Sequence, residues 1–152
     1  MAILRTLTAT IAAAALLLPA LANAGKFRDF GDYRVHYSAF NSTSIAPEVA
    51  RSYGLTRSQY RGILNITVQR KEGDPPYPAS GADLRIQATN LADQTKQIAM
   101  QRIEEGDAIY YIGEFPVSDK EVLNFRVDIQ PEGSSQTYDL RFRQQFFTSD
   151  RD

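Results

Sequence analysis

Residues 122–130 read V-L-N-F-R-V-D-I-Q, and their alternation decides the fold class. Leu123, Phe125, Val127 and Ile129 recur at every second position, with polar residues between them. Successive side chains of a β-strand point to opposite faces of a sheet, so this stretch predicts a strand with one dry and one wet face. A sheet with one dry face must pack that face against a second layer.

The same alternation recurs along the chain and predicts about seven strands, separated by turn signals roughly ten residues apart. The predicted strands cover residues 30–40, 61–70, 82–90, 96–104, 108–117, 122–130 and 136–147. The stretch 96–104 alternates least well, because Ile103 is out of phase with Ile98 and Met100. We expect an all-β, immunoglobulin-like antiparallel β-sandwich, with a closed barrel as the alternative.

One segment, residues 46–53, predicts a short helix after the first strand. Pro47 suits the first helical position, and Gly54 suits the position just after the last turn. Val49 and Tyr53 are four positions apart and share one face of that helix. We expect this face to cap the open end of the sandwich.

The N-terminus has the pattern of a cleavable secretory signal. One basic residue precedes an apolar run over residues 11–18, and small residues stand at Ala22 and Ala24. The run is shorter than the roughly 20 apolar residues that cross a bilayer. We therefore expect a signal peptide over residues 1–24, cleavage after Ala24, and a single domain over residues 25–152 with no membrane span.

The composition excludes several classes of function. The formal net charge is −1, so the chain has no electrostatic signature of nucleic-acid binding. It contains no cysteine, which excludes disulfides, thiol nucleophiles and cysteine-based zinc sites. The single histidine, His36, stands on a predicted strand, and no Gly-x-Ser-x-Gly motif marks a nucleophile. We expect no catalytic residue, no metal site and no cofactor.

Three stretches carry a family resemblance. Residues 33–43 read Y-R-V-H-Y-S-A-F-N-S-T, residues 46–54 read A-P-E-V-A-R-S-Y-G, and residues 57–68 read R-S-Q-Y-R-G-I-L-N-I-T-V. This pattern resembles the bacterial family called domain of unknown function 4426, and the resemblance covers most of the predicted mature chain. It implies a small exported protein in the periplasm of Gram-negative bacteria. The family has no established activity, so the resemblance supplies no catalytic residue.

Polar residues on both sides of the predicted helix form the candidate site. Binding residues favour loops on rigid scaffolds, so a small ligand or a partner could bind in a groove beside the helix. The structural alternative is a side-chain network that only pins the helix in place. The residues concerned are His36, Asn41, Ser42, Arg51, Tyr53, Arg57 and Ser58.

Two other segments have alternative interpretations. Glu104, Glu105 and Asp107 surround Gly106, and a solvated hairpin turn is favoured over a calcium site because the spacing lacks the twelve-residue loop pattern. Residues 74–78 read D-P-P-Y-P. We favour a rigid connection for this proline segment over a motif that docks into a partner's aromatic groove.

These observations favour a periplasmic, non-enzymatic binding or accessory module. Its partner is expected to be another envelope protein or a small ligand, reached through sheet edges or through the helix end. Two alternatives remain open at this point. The first is a small-ligand carrier or hydrolase with a pocket built from His36, Arg51, Tyr53 and Arg57, and the second is a structural envelope protein that acts through self-assembly.

Overall fold

The computed structural model describes residues 26–148, which form two antiparallel β-sheets and one short helix. The predicted signal peptide and its cleavage site lie outside these residues. The strands are β1 (Lys26–Phe30), β2 (Tyr33–Asn41), β3 (Arg61–Arg70), β4 (Ala82–Thr89), β5 (Thr95–Gln97), β6 (Gln101–Glu105), β7 (Ala108–Pro116), β8 (Val122–Pro131) and β9 (Tyr138–Gln145). A single 3-10 turn (Ser42–Ser44) and the helix α1 (Pro47–Tyr53) lie between β2 and β3. Between residues 26 and 148, no helix is both long and apolar enough to cross a bilayer.

The sheets have five and four strands and form a β-sandwich, as predicted. The strand order is β1-β2-β3-β7-β6 in the first sheet and β5-β4-β8-β9 in the second. The alternating residues that predicted the strands fill the space between the sheets. Leu64, Ile66 and Val68 of β3 are fully buried in the same core as Val127 and Ile129 of β8.

The strand count is nine rather than seven, and both differences have physical reasons. β1 was missed because it is a short edge strand whose residues are mostly exposed, so it has no dry face to produce an alternating pattern. The predicted strand 96–104 is two strands, β5 and β6, which belong to different sheets. The chain crosses between the sheets over residues 98–100, which explains why Ile103 is out of phase.

A glycine makes this crossing possible. Gly113 on β7 lies directly against the crossing segment, and a Cβ atom there would lie only 2.8 Å from the carbonyl oxygen of Ala99. It would also lie 2.5 Å from the sulfur of Met100. Only a residue without a side chain allows the two segments to approach this closely.

The helix does not cap the end of the sandwich, so this prediction was wrong. α1 packs on the outer face of the five-stranded sheet, where Val49 and Ala50 are buried with Ile63 of β3 and Ile112 of β7. Ile63 and Ile112 alternate with core residues and therefore point away from the core. The apolar face of the helix covers these side chains, so this sheet has apolar contacts on both of its faces.

A polar cluster joins β5 to the segment before β8. Glu121, whose side chain is 12% exposed, accepts a hydrogen bond from Nζ of Lys96 at 2.8 Å and another from Asn90 at 3.2 Å. Lys96 also donates to the carbonyl oxygen of Pro116 at 2.7 Å. Burial by itself raises the pKa of Glu121, but the hydrogen bonds from Lys96 and Asn90 outweigh it and leave the pKa below its usual value.

This cluster predicts a loss of stability in acid. A carboxylate whose pKa is lowered by folding stabilises the fold above its unfolded pKa, and this stabilisation is lost as the pH falls through the folded pKa. The Glu121→Gln variant should be less stable than the wild type by about 1–2 kcal/mol at neutral pH. The difference should shrink in acid, as the pH falls below the usual pKa range of a glutamate carboxyl and Glu121 becomes protonated. Urea unfolding across this range tests it, and a difference that does not change with pH would contradict the assignment.

Candidate functional site

The segments before and after the helix are joined by side chains from the candidate set. Ser42 Oγ donates to the carbonyl oxygen of Ser58 at 2.9 Å and accepts from the backbone N–H of Ser58 at 2.8 Å. Arg57 donates from Nε to the carbonyl oxygen of Ile45 at 2.7 Å and from Nη2 to that of Thr43 at 3.2 Å. These hydrogen bonds hold the helix connections to each other.

Two further candidates have partners elsewhere. Asn41, at the end of β2, donates from Nδ2 to the carbonyl oxygen of Phe147 at 2.7 Å and so ties β2 to the segment after β9. Arg51 is exposed on the helix and lies 3.9 Å from the carboxylate of Glu48, one turn earlier. Such an exposed pair contributes little to stability.

Tyr53, at the end of the helix, connects α1 to the edge strand β6. Its hydroxyl donates a hydrogen bond to the carboxylate of Glu105. Burial, followed by this hydrogen bond, raises the pKa of Tyr53 to about 12. Burial and the nearby Glu105 charge also raise the pKa of Tyr110 on β7. Both phenols are therefore neutral at physiological pH, and the Tyr53 hydroxyl holds the carboxylate of Glu105 by a hydrogen bond.

His36 lies on the outer face of β2, away from the helix. Its Nε2 is 2.8 Å from Oε1 of Gln69, and its ring lies 5.7 Å from the ring of Phe27. Neither contact provides a nucleophile. Within residues 26–148, His36, Arg51, Tyr53 and Arg57 contact four different partners, so their contacts do not join the four into one site.

A groove on the outer face of the five-stranded sheet lies near both His36 and Tyr53. It has a volume of about 780 Å³, and it is lined by Gln69, the partner of His36, and by Glu105, the partner of Tyr53. One wall is the proline segment and the other is the β6–β7 hairpin. The lining residues are Thr67, Gln69, Pro76, Tyr77, Pro78, Ala79, Glu105, Asp107, Ala108, Ile109 and Tyr110.

The groove exists because the sheet divides at this point. β3 and β7 pair only as far as Ile66 and Tyr111. Beyond them, residues 78–80 take the place of β7 beside β3, with the N–H of Ser80 donating to the carbonyl oxygen of Val68 at 2.8 Å. The start of β7 is thereby separated from β3, and an opening remains between Ala79 and Ile109. We refer to this opening as the sheet gap.

An arginine holds the proline segment in position. The guanidinium group of Arg34 lies 4.1 Å from the ring centre of Phe27 and 5.3 Å from that of Tyr77. Its Nε donates to the carboxylate of Asp29 at 2.7 Å. Tyr77 is therefore held by a cation–π contact on the outer face of the sheet, which makes its wall of the groove firm.

Both segments that form the walls of this groove were noted in the sequence, but no sequence signal predicted that they lie close together. The acidic turn and the proline segment were each interpreted separately, as a hairpin turn and as a rigid connection. The turn is confirmed, because Gly106 adopts a positive φ of 55° between the paired residues Glu105 and Ala108. Their proximity depends on residues 108–110 of β7 being separated from β3, to which β7 pairs only from Tyr111 onward, and no local pattern encodes that.

The described chain offers contacts for binding rather than a set of metal ligands. Within residues 26–148, no group of three or more His, Asp or Glu side chains lies close enough together to hold a metal ion. The groove instead combines two carboxylates, two tyrosine rings, the polar side chains of Thr67 and Gln69, and exposed backbone at the sheet gap.

Comparisons with known proteins agree with the fold and identify the family. A crystal structure of a DUF4426 family protein from Pseudomonas aeruginosa PAO1 has a TM-score of 0.72 and 28% identity, over 84% of this chain and 98% of the other. Two structures of FetP from uropathogenic Escherichia coli strain F11 have TM-scores of 0.56 at 10% identity. They cover 81% and 82% of this chain, and 95% and 94% of FetP, and they support the fold alone.

No match was found among curated proteins. The sequence does match the family described as "Domain of unknown function (DUF4426)" over residues 27–149, which is most of its length. The chain therefore belongs to the DUF4426 family.

Proposed function

We propose that this protein is an exported, periplasmic, non-enzymatic binding module and that it binds another envelope protein in the groove beside the sheet gap. The observation that carries the proposal is the groove itself. It is an open site on a rigid sheet, with aromatic, acidic and amide side chains along its walls and floor. Binding sites combine these features: an apolar lining with a few placed polar groups.

The contacts of the polar residues favour binding over catalysis. His36, the only histidine in the chain, is paired with an amide rather than with a hydroxyl nucleophile and a carboxylate. Ser42 and Ser58, the two serines of the candidate set, are hydrogen-bonded to backbone and to each other. A hydrolase would need one of these groups to face a substrate.

The proposed location is supported by the secretory pattern at the N-terminus. FetP, which shares the fold, was expressed recombinantly in the periplasm of Escherichia coli, and one FetP variant is copper-bound. Copper prefers thiolate, thioether and imidazole ligands. Within residues 26–148 these side chains are limited to His36 and Met100, so we propose no copper site for this chain.

Site-specific photo-crosslinking in living cells tests the proposal. A photoreactive amino acid replaces Tyr77 on the groove wall and, in a control variant, exposed Arg85 on the four-stranded sheet. We expect a discrete crosslinked species from position 77 and none from position 85. The protein should be recovered from the periplasmic fraction, and its measured mass should be that of a processed chain whose first residue is Gly25.

Three results would contradict the proposal. The first is an absence of crosslinks from position 77, and the second is equal crosslinking from both positions. The third is turnover of ester, peptide or glycoside substrates by the purified protein that is lost in a His36→Ala variant, since this would make the protein an enzyme.

A further inference from the structure

We infer that the groove binds an extended polypeptide segment that carries a lysine or arginine side chain. The inference rests on the proposed function and adds the chemistry of the ligand to it. Two independent features support it: unpaired strand edges at the sheet gap and the charge of the groove.

The first feature is the backbone on both sides of the sheet gap. Gly106 and Asp107 form a two-residue turn, so the closing pair Glu105 and Ala108 are hydrogen-bonded to each other. Backbone groups alternate sides along an antiparallel strand, so the N–H and C=O of Ile109 point away from β6, toward the gap. The ladder with β3 ends at Tyr111 and does not reach Ile109.

The other side of the gap presents a matching edge. The carbonyl oxygen of Pro78 and the N–H of Ser80 bond to β3, so the backbone groups of Ala79 between them point away from β3, toward Ile109. Within residues 26–148, no backbone hydrogen bond joins Ala79 to Ile109. Two short strand edges thus face the same opening, and an extended peptide satisfies such edges by β-augmentation.

The second feature is charge. The charged side chains that line the groove are Glu105 and Asp107, and no Lys or Arg lines it within the described chain. The hydroxyl of Tyr53 holds the carboxylate of Glu105 in place. Tyr110 lines the same cavity, and its ring can take a cation over its face, whereas the ring of Tyr77 already contacts Arg34. A basic side chain of the ligand therefore meets the carboxylates of Glu105 and Asp107 and an aromatic ring, whereas an acidic peptide is repelled.

The edges and the charges are close enough to act on one ligand. Ala79, Ile109 and Glu105 line a single cavity, and Ala79 and Ile109 also line the smaller cavity next to it. A peptide whose backbone pairs at the gap can project a side chain every second residue toward one face of the sheet. Main-chain pairing thus supplies affinity, and the acidic side chains select the residue type.

Selection from a displayed library of random octapeptides tests the inference, with protein produced from the full-length gene as the target. Selected sequences should be enriched in Lys or Arg on the wild-type protein. Their affinity should fall about tenfold when Glu105→Gln and Asp107→Asn are combined. The control variant Asp83→Asn removes an exposed carboxylate on the four-stranded sheet and should leave binding unchanged.

A second variant protects the test against misfolding. Asp107 is exposed in the turn, and its side chain has no hydrogen bond or ion pair to lose within residues 26–148. Asp107→Lys should therefore fold normally and still weaken binding of the selected basic peptides. In ¹⁵N NMR titrations, the largest shifts should fall on the amides of Ala79 and Ile109.

Three outcomes would overturn the inference: selected peptides without basic enrichment, equal affinity for the Glu105→Gln/Asp107→Asn variant, or amide shifts confined to residues outside the groove. If position 77 still crosslinks to a partner in cells after such an outcome, the groove remains the binding site and only the peptide chemistry is wrong. If position 77 does not crosslink, the proposed function itself fails.

Discussion

Phe115→Ala should lower the free energy of unfolding by about 3–5 kcal/mol, the largest effect that we expect from a single substitution in this protein. Phe115 comes from the five-stranded sheet and is 1% exposed. Its ring makes edge contacts with Phe125 of the four-stranded sheet and with Phe146, both at 5.4 Å between ring centres. Removing the ring leaves a cavity where the two sheets meet, and the neighbouring strands cannot close it.

Urea or thermal unfolding of the purified variant measures this effect. The control is Phe27→Ala, because Phe27 is 53% exposed and should cost no more than about 1 kcal/mol. If Phe115→Ala does not fold, Phe115→Leu replaces it, with an expected cost of about 1 kcal/mol. Equal effects of the Phe115 and Phe27 substitutions would show that the aromatic cluster does not hold the sheets together.

Gly62→Ala should lower the free energy of unfolding by about 1–3 kcal/mol. A glycine-to-alanine substitution normally has the opposite effect, because it reduces the conformational entropy of the unfolded chain. Gly62 on β3 lies opposite Phe115 on β7, and a Cβ atom at position 62 would lie 2.4 Å from Cε2 of that ring. The ring is packed on all sides by the core, so it cannot move away without strain.

A double-mutant cycle separates this clash from other causes. In the Phe115→Ala background the ring is gone, so Gly62→Ala should be neutral or stabilising, with a coupling energy of at least about 1 kcal/mol. Strictly additive effects would mean that Gly62 does not need to accommodate Phe115.

The sequence predicted those parts of the fold that a single dry face encodes. Leu123, Phe125, Val127 and Ile129 alternate because one side of β8 faces the core, and the other alternating strands follow the same rule. β1 has no such face and left no pattern. The break between β5 and β6 produced one signal in the sequence, the phase change at Ile103. Its cause is that the chain crosses from one sheet to the other between the two strands, next to Gly113.

The position of the helix shows the limit of local patterns. Val49 was correctly placed on its buried face, but the surface that it meets depends on Ile63 and Ile112. Each of these follows or precedes a core residue, and a run of two adjacent apolar residues in a strand is the available signal that both faces are covered. These pairs indicate that both faces of the sheet are covered, and the tertiary fold decides that α1 covers the outer one.

The candidate site was even less accessible from the sequence. Ser42, Ser58 and Arg57 were identified from their polarity beside the helix, and their hydrogen bonds run mainly to backbone in the same loops. The groove depends instead on residues 78–80 displacing β7 from β3, a competition between two segments for one strand edge. Such a competition is settled by tertiary packing and has no short sequence motif.

Amide hydrogen exchange in the free protein tests the central claim, which is that the sheet is open between Ala79 and Ile109. The amides of Ser80 and Tyr111 lie beside β3, where Ser80 donates to Val68 and Tyr111 pairs with Ile66, so they should be protected. The amides of Ala79 and Ile109 point into the gap and should exchange at least about tenfold faster. Equal protection of all four amides would mean that the gap is closed and that no groove for an added strand exists there.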